Sequence, residues 1–119
     1  MVPARTIDGG VMSEIQNRTI KLLKLEQASR DGRKPDFRLQ MLEASLALYR
    51  DLGGAEEAGH RLLQKTFERE AQDVPTAVGD LMIALAALSH QQDMDMMQAT
   101  YNVLRARLRQ LAPPSCAAE

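Results

Sequence analysis

The chain has 119 residues, enough for one domain with a real core and short of a second. Its 15 basic and 16 acidic residues nearly cancel, so net charge offers no field for nucleic acid or a membrane surface. Aromatics make up 3 % with no Trp, which leaves stacking platforms for single-stranded nucleic acid poorly supplied.

Apolar volume comes instead from Leu, Ala and seven Met, a helix-forming composition. The longest apolar run, Leu81 to Leu88, is far too short to cross a bilayer. The opening MVPARTIDGG lacks the hydrophobic core of a signal peptide, and residues 1–10 read as a flexible leader. The single Cys116 has no internal partner, so a reducing cytoplasm is the expected compartment. The final Cys-Ala-Ala-Glu resembles a prenylation box by letter, but Glu fits its last position poorly. Residues 112–119 therefore read as a disordered tail.

In chain order, Ser13 followed by Gln16 is a capping-box pattern opening a helix over roughly Glu14 to Ser29. Ile15, Thr19, Leu22, Leu23 and Glu26 mark one of its faces at helical spacing. Asp31-Gly32 closes it. A second helix over Asp36 to Leu52 has Phe37, Met41, Leu42, Ser45, Leu48, Tyr49 and Leu52 along its inner face. Gly53-Gly54 ends it, where a left-handed residue is needed. A third helix, Ala55 to Gln72, buries Ala58, Leu62, Leu63 and Phe67 and begins with two acids that suit the positive end of its dipole.

Asp73 caps a fourth helix that carries Pro75 in its first turn and reaches Ser89 or Gln91. Asp95, with Gln98, caps a fifth that runs to Leu111 and stops at Ala112-Pro113-Pro114. Its stripe of Met97, Tyr101, Leu104, Leu108 and Leu111 faces a core or a subunit interface. No alternating β-branched run suggests a strand. The expected fold is all-α: one helical domain over 11–111, an antiparallel bundle of four to five helices completed by oligomerisation.

The fourth helix is apolar almost all the way round, the pattern of a buried centre rather than a skin. Leu81, Met82, Leu85, Leu88 and Ser89 fall on one side, and Ala77, Asp80, Ala84 and Ala87 on the other. Asp80 is the one charge in the segment. Either it sits partly wet in the first turn of the helix, stabilised by free N–H groups and the dipole, or it is a metal ligand.

The run Ala77-Val78-Gly79-Asp80, the LMIALAAL stretch, Asp95 and Ala99 resemble the last two helices of MazG-like nucleotide pyrophosphohydrolases. Glu56-Glu57-Ala58-Gly59-His60 is similar to that family's Glu-Glu-x-x-Glu segment. The resemblance implies an all-α fold in which acids on two helices hold Mg²⁺ at the phosphates of a nucleoside triphosphate, yielding the monophosphate and pyrophosphate. Carried across, Glu57 and Asp80 match the family's ligands. His60 stands at the second acid of the first pair, and Ala77 at the first acid of the second. The family's Lys and Asn on the last helix fall at Val103 and Arg107.

The implied metal ligands are thus Glu57, His60 and Asp80, with Mg²⁺ or Mn²⁺ as cofactor and Arg107 as a phosphate contact. A homodimer or tetramer is the implied assembly. The alternative is a non-catalytic, homo-oligomeric interaction module keeping the same scaffold. Glu57-x-x-His60 also echoes the di-metal carboxylate bundles, but His90 has Ala87 where its Glu should stand. The arginines at 105, 107 and 109 otherwise read as a solvated face complementing the negative helix end.

Overall fold

A computed structural model describes residues 13–28 and 33–111. These form five helices, and among the described residues there is no strand: α1 (Glu14–Ala28), α2 (Phe37–Asp51), α3 (Glu56–Glu68), α4 (Val74–Gln91) and α5 (Met96–Leu111). The leader and tail expected at the two ends lie outside the described residues, as does the expected Asp31-Gly32 stop. No described helix is long and apolar enough to cross a membrane.

Side-chain caps set four of the five described helix starts, while α3, opened by Ala55, has none. Ser13 Oγ accepts from the Gln16 N–H at 3.1 Å, and Gln16 Oε1 accepts from the Ser13 N–H at 3.1 Å, a reciprocal capping box. Asp36 caps α2, accepting from the Arg38 N–H at 3.0 Å. Asp73 caps α4 through the Thr76 N–H at 3.1 Å and the Thr76 hydroxyl at 2.9 Å. Asp95 caps α5, accepting from Met97 and Gln98. The Gln98 side chain, though, turns away from its cap to donate to Asn102. Each cap satisfies N–H groups that have no partner inside the helix.

Two helix ends share one geometry. Past α2, Gly53 adopts φ 89°, the Gly53 N–H donates to Arg50 and the Gly54 N–H donates to Tyr49. Past α4, Asp93 adopts φ 58°, its N–H donates to His90 and the Met94 N–H donates to Ser89. Both are Schellman ends, in which a left-handed residue turns the chain and its N–H groups satisfy the last carbonyls.

The third helix is shorter than its pattern predicts, ending at Glu68 rather than Gln72. Arg-Glu-Ala-Gln at 69–72 favours helix by propensity. Three local features oppose it: the Thr66 hydroxyl bonds back to the Leu62 carbonyl at 2.7 Å, Arg69 is extended, and Asp73 needs an extended approach to cap α4.

By its internal contacts the chain divides into two units, one of residues up to Lys34 and from Met82 onward, the other Pro35–Leu81, with α4 running across the division. In the first unit α1 packs on α5. Leu22, 2 % exposed, and Leu104, 6 % exposed, are its buried apolar residues. On α1, Ile15, Thr19, Leu23 and Glu26 are half-buried, the face that spacing predicts. On α5, Tyr101, Leu108 and Leu111 are half-buried as expected, but Met97 is open and Met96 and Thr100 turn inward instead. Arg18 lies over the Tyr101 ring at 4.8 Å, and Arg107 pairs with Glu26. Since 18 precedes 26 and 101 precedes 107, the two helices run in the same sense.

The second unit contains no buried residue. Tyr49 organises its one tight corner: the ring covers Gly54 and Gly59, and the hydroxyl donates to the Ala55 carbonyl at 2.8 Å. Of the inner face expected on α2, Tyr49 alone is half-buried, and Phe37, Met41, Leu42, Leu48 and Leu52 are open. On α3, Leu62 and Leu63 are open and Phe67 is 83 % exposed, while Ala58 is half-buried. The spacing predicts buried faces on α2 and α3, and within this unit their large apolar residues are exposed instead.

Candidate functional site

Three of the four residues singled out by sequence, Glu57, His60 and Asp80, belong to the second unit. Glu57 and His60 lie one turn apart near the start of α3, each with a neighbour one turn away. His60 Nε2 is 3.5 Å from Glu56 Oε2, and Glu57 Oε1 is 3.8 Å from Arg61 Nη1. All four side chains are largely exposed, so water screens both pairs and neither fixes its partners firmly.

Asp80 lies beyond the first turn of α4, out of reach of the free N–H groups at the helix start. Its carboxylate is open to solvent and accepts from Gln72 Nε2 at 3.0 Å. Gln72 sits in the connector after α3. The sequence carries no signal for this partner, because a glutamine in a helix-favouring run looks like surface helix. The capping of α4 at Asp73 folds the connector back and brings Gln72 to Asp80.

Arg107 belongs to the first unit, where Nη2 donates to the Glu26 carboxylate. That acid is visible in sequence as the polar member of the α1 face, though not as the partner of an arginine.

Mg²⁺ demands several hard oxygen ligands converging on one point. Among the described residues, no three of His, Cys, Asp and Glu form a group able to hold a metal. Glu57 and His60 lie beside Arg61 and Glu56 in solvent, and Asp80 accepts from Gln72. Among the described residues, the donors of a single chain therefore do not make up the oxygen cage that the family resemblance implies. The depression nearest these residues is lined by His60, Leu63, Gln64, Phe67 and Glu68, all from α3, and is an open face rather than an enclosed pocket.

Compared with protein-family models, curated proteins and solved structures, the chain matches none. What the structure defines is the class: among the described residues, five helices and no strand, with one packed helix pair, α1 on α5, and a unit whose apolar helix faces are exposed.

Proposed function

We propose that this chain is a MazG-like helical subunit of a homodimer or tetramer. Its chemistry would be the hydrolysis of a nucleoside triphosphate to the monophosphate and pyrophosphate, with Mg²⁺ or Mn²⁺ as cofactor. The observation that carries the reading is Asp80. It is the sole charge in an apolar helical run, in register with the family's ligand, and its carboxylate is open to solvent. In this reading Glu57, His60 and Asp80 are the chain's own donors, and the missing oxygen ligands come from another copy. The reaction adds water at phosphorus and breaks one phosphoanhydride bond, so both products leave as anions.

A second reading, a non-catalytic homo-oligomeric interaction module, is supported by the Asp80 carboxylate accepting from Gln72 of its own chain. One assay separates the two: pyrophosphate release from a panel of nucleoside triphosphates, with Mg²⁺ and then Mn²⁺, on the natural chain and on Asp80→Ala. Release that disappears with Asp80→Ala supports the enzyme. No release from a folded, assembled sample with any nucleotide or metal leaves the interaction module.

A further inference from the structure

We draw no further inference here: the strongest candidate, the apolar face of α2 and α3 exposed within the unit Pro35–Leu81, carries nothing, because nothing in the structure shows what covers it.

Discussion

Arg107 on α5 donates to the carboxylate of Glu26 on α1, joining residues 81 apart in the chain. The Glu26 side chain is 15 % exposed and that of Arg107 50 %, so the acid is shielded by the helix seam while the base stays half in water. The pair flanks the buried seam on one side, and the Arg18–Tyr101 contact flanks it on the other. Removing the base should cost more than an exposed pair, because the acid left behind is partly desolvated. Arg107→Ala is expected to lower unfolding free energy by about 1–2 kcal/mol. A double-mutant cycle with Glu26→Ala should return a coupling of roughly 0.5–1 kcal/mol by urea unfolding at fixed protein concentration. A coupling of zero would mean that the seam is held by its leucines alone.

The two Schellman ends make opposite demands on their turning residues. Gly53 takes its positive φ freely, and a Cβ placed there meets nothing within 4 Å, so any penalty at this position is purely conformational. Gly53→Ala is expected to destabilise by about 1 kcal/mol. Asp93 already carries a side chain in the left-handed region. Asp93→Gly should therefore stabilise by about 0.5 kcal/mol, after the extra entropy of glycine in the unfolded chain is counted. Thermal unfolding of the two variants should shift in opposite directions. A shared direction would rule out this account of the turns.

At the α2–α3 corner the constraint is space. A Cβ on Gly54 would lie 2.5 Å from Tyr49 Cε1, far inside contact distance, and the ring is held in place by its hydroxyl on Ala55. Gly54→Ala must displace the ring or open the corner, at an expected cost of about 1–3 kcal/mol. Tyr49→Phe keeps the ring and loses the hydrogen bond, for about 1 kcal/mol. In the double variant Tyr49→Ala with Gly54→Ala the clash vanishes, so the two penalties should be less than additive. Hydrogen exchange of the amides from 49 to 59 would report the opening directly.

Much of the scaffold is legible in the sequence because short-range chemistry writes it. Ser13, Asp73 and Asp95 cap where their spacing to Gln16, Pro75 and Gln98 predicts, and Gly53 turns where a left-handed residue is needed. The α1 face from Ile15 to Glu26 is also correctly anticipated, since a helical repeat marks which side is covered. What covers each face is harder to read. Phe37, Met41 and Phe67 have the spacing of core residues and stand exposed within their own unit, because periodicity encodes an apolar side and not the identity of its partner. The candidate site depends on long-range placement as well: nothing local to Asp80 announces Gln72, and nothing local to Arg107 announces Glu26.

Acid should loosen helix starts before it touches the leucine seam. Asp36 is held below the ordinary carboxylate value of 3.8, chiefly by the Arg38 side chain and further by the Leu39 and Arg38 N–H groups. Asp73 is held below it chiefly by the Thr76 hydroxyl, with the Thr76 N–H adding to the effect. A folded-state pKa below the unfolded one means that the stabilising contribution is complete above the unfolded value and is lost as pH falls through the folded one. The caps of α2 and α4 should therefore be intact at neutral pH and weaken below about pH 4. Asn keeps a capping oxygen but does not titrate. The pair Asp36→Asn and Asp73→Asn should thus melt slightly lower at neutral pH and show a shallower fall in melting temperature from about pH 4 to pH 2. Circular dichroism melts across that range, at one protein concentration, measure both slopes. Parallel curves would assign the acid limb to other carboxylates.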